Sequence, residues 1–233
     1  MKYLPTYPPL GALILTVLLL SLGGCASISV KPGTSTATSR MPDKVFVENF
    51  DVAHGSWKVD RTGAELQTFK NNLQAMMATA IKVDLTTRLV PAEPVPADFA
   101  MTPQNAWVIR GEFTRVEQGS RLLRGAIGFG AGATKLETHI YVYNLAQDPT
   151  TPFLDFFTTG GSNAEPGAVT ALSTDPLTIA VEAVAGGAGN IAHGLTEDTK
   201  RTARENTAEL SDYMYKSGWI SKDKWIPPKQ YTP

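Results

Sequence analysis

The sequence contains a single cysteine among 233 residues, and this scarcity excludes whole classes of protein. A disulfide framework needs cysteines in pairs, and a cysteine-based metal site needs several. The three histidines, His54, His139 and His193, lie far apart in the chain and lack the spacing of a metal-binding motif. The one cysteine, Cys25, therefore has to be interpreted from its local context.

The chain also lacks an excess of charge of either sign. Its 21 Lys and Arg against 22 Asp and Glu give a formal net charge of −1, which provides no general attraction for nucleic acid. An apolar fraction of 42% with 18% charged residues is typical of a globular chain with one hydrophobic core. No nucleophile-elbow, P-loop or catalytic-cysteine pattern occurs, so we expect no enzymatic activity, no cofactor and no metal site.

The longest apolar run, residues 10–22, is too short for a membrane-spanning helix, which needs about 20 apolar residues. It follows a single charge at Lys2 and ends in LGGC at residues 22–25, so residues 1–24 are typical of a secretory signal peptide. An uncleaved membrane anchor that ends at the cysteine is the alternative.

This N-terminal segment resembles bacterial lipoprotein precursors, in which a short motif ending in cysteine marks the cleavage site. The resemblance implies cleavage before Cys25 and attachment of acyl chains, palmitate among them, to that residue. Two or more acyl chains hold a protein stably in a membrane, whereas a single chain does so only marginally. In lipoproteins of this kind Ala26 after the cysteine favours the outer membrane, with the domain facing the periplasm.

The composition of the remaining chain predicts three parts. Residues 25–42 are rich in Ser, Thr, Pro and Gly and favour a flexible tether that follows the lipidated cysteine. Residues 43–217 form one α+β domain. The tail, residues 218–233, contains two tryptophans and a proline pair, and it either packs back on the domain or presents an extended segment to a partner.

Hydrophobic periodicity predicts the elements of this domain. A strand starts at Lys44, and TGAE at residues 62–65 predicts the start of a long helix with an apolar stripe. Prolines then favour a loop over residues 91–105. Alternation predicts strands at residues 107–116, 135–145 and 153–159, and helices are expected at residues 177–185 and 196–216. We expect an antiparallel sheet of four or five strands packed by two or three helices.

Two groups of side chains have a predicted environment. His139 shares a strand face with Tyr141 and Tyr143, which favours a partly buried, hydrogen-bonded histidine over a catalytic one. The charged residues 197–201 near the start of the last helix are typical of a solvated helix face.

The segment QGSRLLRGAIGFGAGA at residues 118–133 joins two predicted strands and is both glycine-rich and apolar. Its glycines could permit bulges while its apolar side chains pack on the domain. Alternatively, it is an exposed loop that contacts a partner or lipid. We take the second interpretation as the candidate contact site, formed by Arg121, Leu122, Leu123, Arg124, Ile127, Gly128, Phe129, Gly130 and Gly132.

The pattern from Gly111 onward resembles the bacterial lipoprotein family catalogued as domain-of-unknown-function 4410. The resemblance rests on a strand that begins GEF at residues 111–113, the glycine, serine and arginines at residues 119–124, and GFGAG at residues 128–132. It implies no established activity. The predicted order of strands and helices is also similar to the domains of curli-secretion and penicillin-binding-protein-activator lipoproteins, by topology alone.

These observations together predict a membrane-anchored envelope lipoprotein that works as a non-enzymatic binding or assembly module. Its expected contacts are the membrane, through acyl chains on Cys25, and an envelope protein or another copy of itself, with no nucleic acid. The alternative is an oligomeric pore or secretion component of the outer membrane.

Overall fold

A computed structural model describes residues 27–38, 40–119, 133–161, 175–187, 191 and 193–231. Within these ranges the chain forms seven strands and three helices. In chain order they are β1 (Ser27–Ser35), β2 (Lys44–Glu48), β3 (Ser56–Lys58), α1 (Gly63–Arg88), β4 (Ala92–Val95), β5 (Ala106–Glu117), β6 (Lys135–Asn144), β7 (Leu154–Gly161), α2 (Pro176–Gly187) and α3 (His193–Lys216).

The strands form one mixed sheet in the order β1-β7-β6-β5-β2-β4, with β3 paired to β5 beside β2. β1, β7, β6 and β5 are antiparallel neighbours, whereas β2, β3 and β4 pair in parallel. The α+β class and the packing by helices are therefore confirmed, and the expected four- or five-stranded antiparallel sheet is wrong. The parallel pair β2 and β4 results from a crossover through α1, a connection that parallel neighbours require.

Residues 27–35 form an edge strand, so the prediction that residues 25–42 are a flexible tether is wrong for this stretch. Ser27 to Pro32 pair with β7 through the backbone, and backbone pairing does not depend on the Ser, Thr and Pro composition. Ile28 and Val30 face the core and are almost fully buried. Ile28 and Val30 are two positions apart, which is the period-two spacing of a strand with one buried face. The polar composition of the segment made this pattern hard to recognise.

The predicted loop at residues 91–105 also contains a strand, β4. β4 lies at the edge of the sheet, where Pro94 is tolerated because an edge strand needs only one side of its backbone for pairing. The proline-rich composition therefore indicated a loop where the fold places an edge strand.

The main core lies between the sheet and the helices. The predicted apolar stripe of α1 is buried there, with Phe69, Leu73 and Met76 at 3% exposure or less. Trp107 of β5 lies among the aromatic rings of Phe153, Tyr213 and Trp219. Among the described helices, none combines the length and the hydropathy needed to cross a membrane.

The polar helix α3 is buried over most of its length, so the predicted solvated face at residues 197–201 is wrong. Asp198 is completely buried, and Lys200 is 4% exposed. Lys200 pairs with Glu197 of the same helix at 2.5 Å, and Glu182 of α2 lies 3.9 Å from its Nζ. Partners on neighbouring elements thus allow charged side chains to occupy an interior position.

The tail after α3 packs along that helix and reaches the sheet. Trp225 Nε1 donates to Asp212 Oδ1 at 3.0 Å, and the backbone N–H of Lys229 donates to Glu205 Oε2 at 2.8 Å. The N–H of Tyr231 then donates to the carbonyl of Val30 in β1 at 2.7 Å. Of the two alternatives for the tail, the structure has the packed one.

Candidate functional site

The residues for which the sequence predicts a function lie outside the described ranges. They are the lipidation site Cys25 and the contact loop of Arg121, Leu122, Leu123, Arg124, Ile127, Gly128, Phe129, Gly130 and Gly132. The strands that flank the loop are described, and Glu117 at the end of β5 pairs with Lys135 at the start of β6. The prediction that this segment connects two antiparallel strands is confirmed.

One end of the sheet, which we call the Ser27 end, brings several chain segments together. Ser27 pairs with Gly161 at the end of β7, and the preceding residue of β7, Gly160, pairs with Leu136 of β6. The starts of β1 and β6 are two strands apart, or about 10 Å. Cys25 precedes Ser27 by two residues, so at most about 7 Å of chain separates it from this end.

The sheet has a second face, opposite the helices, which we call the open face. Along β6 the residues 136, 138, 140, 142 and 144 are buried, whereas those between them are partly exposed. The partly exposed set is Lys135, Glu137, His139, Tyr141 and Tyr143. The alternation therefore places aromatic and charged side chains on one surface, as period-two patterns do.

A hydrogen-bonded network crosses three strands of the open face. Tyr141 donates its hydroxyl proton to Glu112 Oε1 of β5 at 3.0 Å, and His139 Nδ1 lies 2.7 Å from the same hydroxyl. The His139 ring stacks on Phe157 of β7, with ring centroids 3.8 Å apart and planes at 22°. The predicted partly buried, hydrogen-bonded environment of His139 is confirmed.

The direction of these bonds fixes the histidine tautomer. Tyr141 has one proton and gives it to the Glu112 carboxylate, so the 2.7 Å contact requires His139 Nδ1 to donate. In the neutral ring Nε2 then carries a lone pair, and it is buried without a hydrogen-bond partner among the described residues. Asp155 Oδ1 of β7 lies 3.6 Å from Nε2.

The tyrosine at the centre of the network stays protonated. Burial, reinforced by the hydrogen bond to Glu112, raises the pKa of Tyr141 to about 12. The phenol therefore remains a hydrogen-bond donor across the physiological pH range. The direction of the hydrogen bond from Tyr141 to Glu112 is therefore fixed.

A bidentate ion pair borders this network. Arg110 donates from Nε and Nη2 to the two carboxylate oxygens of Glu48, at 2.8 and 2.9 Å. Its guanidinium lies 5.3 Å from the ring centroid of Tyr143, and the hydrogen bond to Glu48 raises the pKa of Arg110. Glu48 is 4% exposed, so the pair stabilises the face where β2 joins the antiparallel strands.

The open face presents aromatic rings and carboxylates, which are groups that recognise a polar partner. Within the described ranges no three His, Asp, Glu or Cys side chains are arranged to hold a metal ion. The sequence identified His139, Tyr141 and Tyr143 on this face. It did not identify Glu112, Asp155 and Phe157 as part of the site. The alternation of buried and exposed residues in β5 and β7 is visible in the sequence, but the register that brings these residues beside His139 is not.

The described residues define a mixed α+β domain with helices on one face of the sheet and with the other face partly exposed along β6. The chain belongs to the family described as Domain of unknown function (DUF4410), whose model matches residues 37–183. This confirms the resemblance drawn from the glycine and arginine pattern. No curated protein matches the chain.

Two solved structures show a distant likeness. The PelC dodecamer from Paraburkholderia phytofirmans is 11% identical, with a TM-score of 0.35, over 68% of this chain and 93% of that one. A variant PelC dodecamer from the same organism is 14% identical, with a TM-score of 0.32, over 68% and 92%. A likeness at this level does not bear on the function of the chain.

Proposed function

We propose that the protein is a lipoprotein of the bacterial cell envelope that works as a non-enzymatic binding or assembly module. In this proposal residues 1–24 are removed and acyl chains on Cys25 hold the protein in the outer membrane. The folded domain faces the periplasm and contacts an envelope protein near the membrane.

The observation that carries the proposal is the start of β1 at Ser27. Only Ala26 lies between Cys25 and the first strand, and β1 is fixed to β7 by a continuous register from Ser27 to Pro32. An anchor on Cys25 would therefore hold the Ser27 end of the sheet next to the lipid headgroups. The domain would sit on the membrane surface rather than at the end of a long linker.

The same geometry supports residues 121–132 as the contact segment. Both strands that carry it, β5 and β6, terminate at the Ser27 end, about 10 to 15 Å from the start of β1. Its apolar side chains and the flanking Arg121 and Arg124 would then face the membrane and any protein bound beside it. An apolar segment rimmed by positive charge is typical of such an interface.

The anchor is tested by metabolic labelling with a palmitate analogue. The wild-type chain should incorporate the label and run as a mature form, whereas Cys25→Ala should accumulate as an unlabelled precursor. Continued labelling of Cys25→Ala would refute lipidation at this residue.

The contact segment is tested by in-cell photocrosslinking from Leu123 and Phe129, with Ile179 as the control position. Ile179 is 55% exposed on α2, so it reports chance crosslinking at an accessible helix surface. We expect one reproducible adduct from the loop positions, weakened by Arg121→Ala with Arg124→Ala at an unchanged melting temperature. Equal adducts from Ile179, or a large loss of stability in the double variant, would contradict a contact role.

A further inference from the structure

A groove of about 370 Å³ opens on the open face close to the Ser27 end. Its floor consists of side chains from β5, β6 and β7, including Thr114, Glu137 and Thr159, and its sides include Lys31 of β1 and Tyr231 of the tail. The volume is in the range of sites that hold a small polar group.

The charges of the groove leave one cation uncompensated. Glu137 accepts a hydrogen bond of 2.9 Å from Thr159 Oγ1 and lies 3.2 Å from Lys135 Nζ, so its charge is already balanced. Lys31 is exposed and forms no ion pair with any residue of the described ranges. The groove therefore presents a free ammonium group beside a neutral, hydroxyl-bearing floor, which suits an anion.

Two aromatic rings border this cation. Phe157 is 36% exposed and Tyr231 is 47% exposed, and they are two of the three large apolar side chains with high exposure in the described part of the chain. The hydrogen bond from the Tyr231 N–H to Val30 fixes the end of the tail beside β1. Exposed aromatic side chains are common at a membrane interface. Lysines are common there too, because their apolar stems can lie along apolar surface while the ammonium group stays in water.

The groove lies at the level of the proposed anchor. Lys135 is one residue from Leu136, which pairs with Gly160 beside Ile28, so it stands level with Ser27. Lys31 is four residues along β1 from Ser27, or about 13 Å. The groove therefore extends from the level of Ser27 to about 13 Å along the sheet from that level.

We propose that this groove binds the phosphate-bearing headgroup of an anionic phospholipid in the membrane that anchors Cys25. Lys31 pairs with the phosphate, Thr114 and Thr159 line the floor beneath it, and the rings of Phe157 and Tyr231 flank the headgroup. Bound lipid fixes the tilt of the domain, which acyl chains on a single residue leave free. The orientation in this inference rests on the proposed function.

The test is native mass spectrometry of the full-length mature protein in a neutral detergent, titrated with dioleoyl-phosphatidylglycerol. The wild-type protein should bind one phosphatidylglycerol molecule in preference to dioleoyl-phosphatidylcholine. Lys31→Gln should weaken that binding about fivefold, as expected for one lysine at an anionic headgroup, and Lys31→Arg should retain it. Tyr231→Ala should weaken it through lost contact with the headgroup.

The matched control is Lys82→Gln, which removes the same charge from a partly exposed lysine of α1 on the other side of the sheet. It should bind phosphatidylglycerol as the wild type does. Equal binding by Lys31→Gln and Lys82→Gln, or equal adducts with the two lipids, would overturn the proposal. Binding of glycerol phosphate as tight as that of phosphatidylglycerol would also overturn it, in favour of a site for a soluble phosphate.

The same spectra separate this inference from the proposed function. The mass of the mature chain reports whether Cys25 carries acyl groups, whereas the titration reports only the groove. A failure of lipidation and a failure of lipid binding therefore give different results.

Discussion

Thr134 Oγ1 donates a hydrogen bond of 2.7 Å to Asp198 Oδ2, and this contact joins the segment entering β6 to helix α3 in the interior. Asp198 is completely buried, and its second oxygen lies 3.2 Å from Arg201 Nη1. A buried carboxylate is costly unless hydrogen bonds satisfy it. The contact therefore fixes α3 beside the strand that leaves the predicted contact loop.

Thr134→Val should lower the free energy of unfolding by about 1–3 kcal/mol, because it removes a donor from the buried Asp198 carboxylate while keeping the side-chain volume. Urea denaturation of the purified protein measures the change. Thr114→Val on the open face is the control, since its side chain is partly exposed, and it should shift stability by less than about 0.5 kcal/mol. Equal effects of the two changes would show that the bond contributes nothing.

Gly111→Ala should destabilise the domain by about 1–3 kcal/mol, because overpacking forces neighbours to move. A Cβ at Gly111 would lie 2.5 Å from Cε2 of Phe50, a ring that is completely buried. The pair of Gly111→Ala and Phe50→Leu should be less destabilised than the sum of the two single changes. Strict additivity in thermal or urea unfolding would rule out this steric contact.

Arg110→Ala should cost about 3 kcal/mol of stability, since it leaves the carboxylate of Glu48 buried without its bidentate partner. Lys44→Ala is the comparison, because the ion pair of Lys44 with Glu93 is about half exposed on both sides. Exposed pairs contribute about 1 kcal/mol or less. A cost for Arg110→Ala no larger than that for Lys44→Ala would contradict the burial argument.

Glu209 gives a prediction for the effect of pH. Burial, with a smaller contribution from the nearby Asp212, raises the pKa of Glu209 from 4.5 to about 7. Between these values the folded protein keeps a proton that the unfolded chain has lost, so stability falls as pH rises from about 4.5 to about 7. Above pH 7 the charged, buried carboxylate destabilises the fold by about 3 kcal/mol.

Glu209→Gln should remove that loss and make the protein more stable than the wild type at pH 8, with little difference at pH 4.5. Unfolding curves across this range measure it, and Glu93→Gln, an exposed change, serves as the control. If Glu209→Gln follows the wild-type pH profile, Glu209 is not the group responsible.

The sequence predicted the elements with strong periodicity. The alternation in residues 135–145 predicted β6 and the surface that carries His139 and Tyr141, and the apolar stripe of α1 is where the spacing placed it. Local composition failed at the edges of the sheet. Residues 27–35 are rich in Ser, Thr and Pro, and residues 92–95 contain a proline. Both segments form strands because their backbones pair with neighbours distant in sequence.

The candidate site was predictable only one strand at a time. Nothing local in the sequence shows that Glu112, His139 and Phe157 stand side by side, because that depends on the register of three strands. The burial of Asp198 could not be predicted from the local sequence for a similar reason, since its partner Thr134 is 64 residues away. In both places, contacts between residues distant in sequence determine the environment of the side chains.

The position of β1 also has a mechanical consequence. A force that pulled the domain away from a membrane through Cys25 would enter at Ser27 and act along β1. The hydrogen bonds between β1 and β7 lie across that direction, because ladder bonds in antiparallel pairs are perpendicular to the strands. They would share the load in shear and break together rather than one after another, which makes the attachment of the domain resistant to tension.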